Sequence, residues 1–209
     1  MWTFDPQRIA HTPQDWWWNP LRNLTTVAEA NRLAGHFVAT VEDDRRDIWG
    51  PAAKELLATL LLAAAVGGQT LLEVYAWLAN EATPVPSGLL REHGYDLLAR
   101  TLRGTQDSPP ETRGSVYFTA RAATACLRDG QITAWVTPPA YNSAPDRPNH
   151  LNGTDDPGGA GGPLVEFRPE AFPGSRQTLY LLSKDEGGSA GPLVAAPDRP
   201  GAALRCYRR

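Results

Sequence analysis

Two short apolar segments near the ends of the chain constrain its fold more than any other feature. Residues 2–4 are predicted to form a strand that stops at Asp5-Pro6, and residues 178–182 are predicted to form a second strand. The stretch between them has mostly helical periodicity. Because a two-stranded unit is marginal in water, we expect both strands to belong to a larger α/β sheet that carries a helical domain.

Length and charge narrow the possible functions. The 209 residues are enough for one good-sized core, and the net charge of −3 indicates neither disorder nor general attraction to nucleic acid, so DNA binding would need a local basic patch. The longest apolar run, residues 56–66, is about half as long as a membrane span.

Cys126 and Cys206 are too few and too far apart for a disulfide framework or a zinc site, and Cys126 is predicted to be a buried apolar residue. This sparse use of cysteine fits a protein in a reducing, cytoplasmic setting.

Capping patterns predict the starts of two helices. Thr26-x-x-Glu29 is a capping box at the start of the first helix, whose inward face is predicted to include Val27. Thr70-x-x-Glu73 is a second capping box, at the start of the third helix. Both helices are amphipathic, so each is expected to bury one face against a common core.

Three further helices complete the predicted bundle. Residues 48–66 should form its central helix, because this stretch is apolar nearly all round and Asp47 can cap it. A fourth helix is predicted over residues 87–103. A fifth is predicted to begin near Pro109-Pro110 and to end near Leu127, with Phe118 facing inward.

Several segments outside these helices carry their own signals. Residues 6–24 form a connector with three consecutive tryptophans, which either stack on a ligand or pin the connector to the helices; we favour the second interpretation. Residues 132–136 are β-rich and could be a strand or an extended strap. Residues 138–163 are rich in proline and glycine and are predicted to be a flexible or disordered insert. Residues 187–194 are predicted to be a loop that leads into a helix.

Catalytic motifs are not found in the sequence. There is no glycine-rich phosphate loop, no nucleophile elbow and no His-Glu-x-x-His helix, and the four histidines are scattered, so no catalytic or metal-binding residue is predicted. Asp185 and Glu186 follow the second strand as a Mg²⁺-binding acidic pair does in ATPases, but Ser183-Lys184 separates them from it; a solvated loop is favoured. An enzyme that works through Asp15 and the tryptophan loop would lack an acid/base pair.

Basic residues recur along the fourth and fifth predicted helices. They could line a surface that faces a polyanion. Acidic neighbours such as Glu92, Asp96 and Glu111 dilute this positive field, so a solvated helix face is the favoured interpretation. The basic residues are Arg91, Arg100, Arg103, Arg113, Arg121 and Arg128.

The order of these pieces resembles a known family, the coupling ATPases of conjugation and type IV secretion, of the TraG/TraD/VirD4 type in their actinobacterial form. The resemblance is carried by Trp-x-Phe-Asp-Pro-Gln (2–7), the Trp-Trp-Trp-Asn-Pro-Leu connector (16–21), Phe-x-Pro-Glu-x-Phe (167–172), Thr-Leu-Tyr-Leu-Leu-Ser (178–183) and Gly-Ser-Ala-Gly-Pro-Leu-Val (188–194). In that family an all-α domain is inserted in a RecA-like motor, which hydrolyses ATP with Mg²⁺ as a membrane-anchored hexamer.

The resemblance implies a mainly α fold: a helical bundle with a few strands of an incomplete RecA-like P-loop ATPase sheet. It divides the chain into a strand and connector of the RecA-like domain (1–23), the all-α domain (24–137), the flexible insert (138–163), a returning RecA-like strand and loop-helix (164–196) and an irregular tail (197–209).

Site residues also follow from the resemblance. Asp5, Gln7 and Ser183 are expected near the nucleotide site of the motor. The residues expected to face DNA or a partner are Arg100, Arg103, Arg113 and Arg121.

The family's phosphate loop and acidic Mg²⁺-binding strand are not found in the sequence, so the chain is expected to be a truncated member that needs no cofactor and does not hydrolyse ATP. Its expected partners are DNA, a relaxosome protein or intact motor subunits at the cytoplasmic face of the membrane. The alternative is a free-standing helical protein-interaction module that binds no nucleic acid.

Overall fold

The computed structural model describes residues 1–40, 48–139, 164–184 and 188–196. Over these residues the fold is mainly helical, with two small parallel sheets of two strands each. The strands are β1 (Trp2–Phe4), β2 (Trp16–Trp17), β3 (Val165–Glu166) and β4 (Leu179–Leu181). The α-helices are α1 (Val27–Val38), α2 (Gly50–Val66), α3 (Leu71–Ala79), α4 (Val85–Glu92), α5 (Asp96–Gln106), α6 (Pro110–Ala123), α7 (Gly130–Ala134) and α8 (Gly191–Ala195). Two 3₁₀ helices cover Ala125–Arg128 and Pro169–Gly174.

Helix α1 begins at the predicted capping box. Thr26 Oγ1 accepts a hydrogen bond from Glu29 N at 3.2 Å, and the Glu29 carboxylate accepts one from Thr26 N at 3.1 Å. These bonds satisfy main-chain donors that have no partner within the helix. The prediction is confirmed, except that Val27 is exposed and the buried face starts at Ala30.

Helix α2 is the centre of the bundle, as predicted. It packs against α1, α3, α4, α5 and α6, and Leu57 and Leu61 on it are fully buried. It starts at Gly50 rather than at Ile48, which precedes it and is largely exposed. Pro51 in the first turn favours this start, since proline has a preset φ and lacks the N–H that would be unpaired there. The predicted cap, Asp47, lies outside the described residues.

The second predicted capping box does not form. Thr70 occupies the N-cap position of α3, but its side chain makes no capping hydrogen bond. Its Oγ1 is buried and has no hydrogen-bond partner among the described residues. The backbone of Thr70 is extended, as a cap requires, so the helix starts at the predicted place without the predicted side-chain bond.

The predicted fourth helix, residues 87–103, is two helices. α4 ends at Glu92 and α5 begins at Asp96, with Gly94 between them at φ +82°. A left-handed glycine just beyond a helix end is a common stop, because other residues rarely adopt this conformation. The prediction of one continuous helix was therefore wrong.

The fifth helix is also shorter than predicted, and the segment after it is helical. α6 ends at Ala123 and a 3₁₀ turn follows. Phe118 is 66% exposed, so its predicted inward position was wrong. Residues 132–136, predicted as a strand or strap, fall largely in α7, whose start is fixed by Asp129: its carboxylate accepts from Gln131 N at 2.8 Å.

Both sheets join segments that are far apart in sequence. β1 pairs in parallel with β4, and Thr3 lies opposite Tyr180. β2 pairs in parallel with β3, and the ion pair between Arg22 and Glu166 lies beside this second sheet. A parallel pair needs a crossover connection, and here helices α1–α7 lie within it.

Aromatic side chains join the two sheets to the bundle. Trp16 is buried, its ring contacts those of Trp2, Phe167 and Trp135, and its Nε1 donates to Thr3 O at 3.0 Å. Trp18 is also buried. These contacts support the interpretation that the tryptophans pin the connector to the core, which runs without a break from the sheets into the helices.

Two predicted segments cannot be compared with the structure. Residues 140–163 of the predicted insert and the predicted tail, residues 197–209, lie outside the described residues. Within the described ranges, no helix combines the length and the apolar character that crossing a membrane requires.

Candidate functional site

The carboxyl ends of β1 and β4 meet at one edge of their sheet. Gln7 follows β1, and Ser183 and Lys184 follow β4. Because the strands are parallel, the two chain segments emerge side by side. The structure therefore brings Gln7 and Ser183 together at this edge.

Gln7 is the centre of this edge. Its Oε1 accepts hydrogen bonds from Lys184 N at 3.0 Å and Ala190 N at 3.3 Å, and Ser183 Oγ lies 3.5 Å away. One amide oxygen thus connects the end of β1, the segment after β4 and the residue before α8. These bonds fix the shape of the edge, and they occupy the oxygen that would otherwise face a ligand.

Asp5 shapes the loop after β1. It is 1% exposed, and its carboxylate accepts from Ile9 N at 2.7 Å, Ala10 N at 2.8 Å and Thr12 N at 3.2 Å. The loop begins with a turn in which Arg8 N donates to Asp5 O at 3.2 Å, and Arg8 has a positive φ of 52°. Asp5 lies near the predicted nucleotide edge, but both its oxygens are committed to the loop.

No metal site is found at this edge among the described residues. The predicted acidic pair, Asp185 and Glu186, lies outside the described residues. Elsewhere in residues 1–40, 48–139, 164–184 and 188–196, no three His, Cys, Asp or Glu side chains are grouped as metal ligands.

The chain turns into α8 through Gly188 and Ser189. Gly188 has a φ of +79°, and Ser189 Oγ accepts a hydrogen bond from Gly191 N at 3.4 Å.

Arg113, one of the predicted partner-facing arginines, binds within the protein. Its Nε donates to Glu81 Oε2 at 3.1 Å, and its Nη1 donates to Gln106 O at 3.0 Å and Ser108 O at 3.3 Å. Its cation therefore lies at the carboxyl end of α5, where the helix dipole favours positive charge. The half-buried guanidinium joins α6 to α5 and Glu81.

The other three predicted arginines remain available. Arg100 is exposed, and Arg103 and Arg121 are partly exposed. None of the three forms an ion pair with another described residue. Arg100 and Arg103 are three residues apart on α5, so they lie on the same side of this helix. These two cations therefore form a basic pair on one side of α5.

The one described cysteine is inert. Burial raises the pKa of the Cys126 thiol to about 12, so almost no thiolate exists at neutral pH. Burial likewise raises the pKa of the Tyr117 hydroxyl, which donates to Glu81 O at 3.4 Å. Neither group is suited to act as a nucleophile or base.

A cavity of about 360 Å³ between α2, α5 and α6 was not predicted from the sequence. One signal could have indicated it: small and hydroxyl side chains occur on α5 at i, i+3 and i+4, and again just beyond the end of the helix, where a packed face would carry larger apolar residues. These residues are Thr101, Gly104, Thr105 and Ser108.

Comparison with known proteins found no relative of this chain. No family model matches it, and neither the curated proteins nor the solved structures include a match.

Proposed function

We propose that the chain is the all-α substrate-recognition region of a conjugative coupling ATPase, together with two strands of the RecA-like motor sheet. The observation that supports this most is the parallel pairing of β1 with β4 around the helical domain. Parallel sheets are normally buried on both faces. Here Tyr180 on β4 is 49% exposed, and its neighbours Leu179 and Leu181 are only partly buried. This exposure is expected of strands that pack in a larger sheet.

The function proposed for the chain is binding rather than catalysis. DNA or a relaxosome protein would contact the helical domain, and Arg100 and Arg103 are the residues best placed to neutralise phosphates. The sheet edge at Gln7 and Ser183 would instead dock to intact motor subunits, which supply ATP and Mg²⁺ in the family. We expect this region to act at the cytoplasmic face of the membrane, without ATP hydrolysis of its own.

A second candidate function is a helical protein-interaction module that binds no nucleic acid. It is favoured by the internal contacts of Arg113, which remove one cation from the basic set. It is also favoured by two apolar side chains on the same helices, Leu97 and Phe118, which are 77% and 66% exposed. A protein surface would cover such side chains better than a DNA backbone would.

DNA binding by the purified chain distinguishes these functions. Fluorescence anisotropy with a labelled duplex should show binding at about 50 mM salt that weakens steeply as salt rises, because phosphate contacts release counterions. The double substitution Arg100→Glu and Arg103→Glu should abolish this binding. Arg8→Glu with Arg176→Glu changes the net charge equally at exposed sites outside α5 and is the matched control.

Three results would count against the coupling-protein proposal. No binding at low salt would favour the interaction module. Equal loss of binding in both double variants would show a general charge effect. ATP hydrolysis by the purified chain that is lost in Asp185→Ala with Glu186→Ala would contradict a purely non-catalytic role.

A further inference from the structure

The cavity between α2, α5 and α6 has the size of a small-molecule site. Its volume of about 360 Å³ lies within the range of known ligand pockets, roughly 300–1,000 Å³. Leu56, Leu102 and Val116 supply an apolar floor, one from each helix. Gly104 lies in the wall, and a Cβ added there would meet no atom within 4 Å. Gly104 is exposed, so this side of the cavity is open to solvent.

Most hydroxyl groups in the lining of this cavity can accept hydrogen bonds from a ligand but have no proton left to donate. Four of its five hydroxyl groups already donate their protons to main-chain carbonyls three or four residues earlier in the chain. A hydroxyl has one proton and two lone pairs, so each of these groups is left as an acceptor only. They are Thr59, Thr101, Thr105 and Ser108, with donor–acceptor distances of 2.9, 3.1, 3.3 and 2.6 Å. A bound ligand must supply the donors.

The charge of the cavity also favours a ligand that donates hydrogen bonds, and in particular a cation. Among the described residues of the lining, Glu55 is the only charged one, and it lies on the exposed rim. The adjacent Lys54 does not neutralise it, since its Nζ lies against Gly35 on α1. Trp49 adds an aromatic side chain to the lining, and such a ring attracts cations through its π face.

We propose that this cavity binds a small organic cation: an apolar group of about one ring with a primary or secondary ammonium. The apolar part would occupy the floor formed by Leu56, Leu102 and Val116. The ammonium would lie near Glu55 and Trp49 and donate to the hydroxyl oxygens of α5. This site is separate from the basic pair on α5 and does not depend on DNA binding.

Titration of the full chain with 2-phenylethylammonium, followed by amide NMR shifts, tests this site. The amide signals of Gly104 and Thr105 should shift and saturate at ligand concentrations of about 10 mM or below, as expected for a ligand of this size. The neutral analogue 2-phenylethanol should bind at least about tenfold more weakly, because it lacks the charge that Glu55 and Trp49 attract.

Matched variants separate charge from shape. Glu55→Gln should weaken binding of the ammonium about tenfold and leave the alcohol nearly unchanged, whereas Glu111→Gln, outside the lining, should change neither. Gly104→Leu should fill the cavity and abolish binding of both ligands. Gly114→Leu is the control, since Gly114 is also helical and has no atom within 4 Å of an added Cβ.

The proposal is overturned if neither signal shifts, if the alcohol and the ammonium bind equally, or if Glu55→Gln binds the ammonium as tightly as the unaltered chain. It is overturned equally if Gly104→Leu retains binding. A fold check by circular dichroism on each variant ensures that lost binding does not reflect unfolding.

Discussion

The side-chain oxygen of Gln7 accepts a hydrogen bond from the main-chain N–H of Ala190, at 3.3 Å and across 183 positions of the sequence. The same oxygen accepts from Lys184 N at 3.0 Å. β1, the segment after β4 and the start of α8 therefore share one acceptor. Because this sheet has only two strands among the described residues, its edge depends on this side chain more than the edge of a wider sheet would.

Gln7→Ala should release the segment from Lys184 to Ala190. Two main-chain N–H groups lose their acceptor, and because only the one at Ala190 is partly buried, the loss should cost about 1 kcal/mol. Hydrogen exchange at the Lys184 and Ala190 amides should become faster. Gln7→Glu keeps an oxygen at the same place and should preserve their protection. Unchanged protection in Gln7→Ala would show that the sheet edge holds without this side chain.

Arg113→Ala should lower the free energy of unfolding by about 1–3 kcal/mol, because Glu81 and the main-chain carbonyls of Gln106 and Ser108 lose a charged donor. Arg113→Lys should recover little, since an ammonium cannot reproduce the planar fork that reaches these acceptors. Arg100→Ala is the control and should change stability by less than about 0.5 kcal/mol. Urea unfolding measures all three. Full recovery by lysine would contradict the geometric role of the guanidinium.

Alanine substitutions at different glycines should change the stability of the fold in opposite directions. Gly104→Ala and Gly114→Ala should each stabilise the fold by up to about 1 kcal/mol, because alanine favours helix and an added Cβ finds open space. Gly67→Ala should destabilise it, because the new Cβ would lie 2.7 Å from Leu89 Cδ1 and 3.0 Å from Ala63 O. Thermal unfolding of the three variants gives the comparison. A stabilised Gly67→Ala would mean that Leu89 moves aside freely.

Cys126 should be protected from thiol reagents in the folded chain. Its pKa of about 12 lies above the ordinary value of 9.0, so folding favours the protonated thiol. This contribution to stability is complete below about pH 9 and should decline as pH rises from there towards 12. In a Cys206→Ser background, Ellman's reagent at pH 8 should react slowly with native protein and rapidly in denaturant. Equal rates in both states would contradict the burial of this thiol.

Local signals predicted the helices whose ends are set by side chains. The Thr26–Glu29 box marks the start of α1 in both sequence and structure. The break at Gly94 was missed because the amphipathic pattern continues across it, and only its positive φ separates α4 from α5. Phe118 was wrongly predicted to face inward. Periodicity shows which residues share one face of a helix, but it does not show which face the neighbouring helices cover.

The candidate sites depend on contacts between distant segments, which a single sequence does not specify. The resemblance placed Asp5, Gln7 and Ser183 near the nucleotide site of a motor, which stays a prediction; that Gln7 and Ser183 lie at one edge follows from the parallel register of β1 and β4. The internal role of Arg113 was not predictable, because its acceptor Glu81 lies 32 residues away. The cavity was not predictable for the same reason, because residues of three helices, α2, α5 and α6, form its walls.

The parallel pairing of β1 with β4 also sets an order of events during synthesis. Trp2 leaves the ribosome early, but its partner Leu179 emerges only after helices α1–α7 have been made. The helical bundle can therefore fold first. Until β4 is made, β1 has no strand partner, and the apolar side chains of Trp2 and Phe4 are not fully packed. Closing so long a loop is slow compared with local helix formation, so the sheet should be the last part of the molecule to assemble. This interval is when a nascent chain would most need a chaperone.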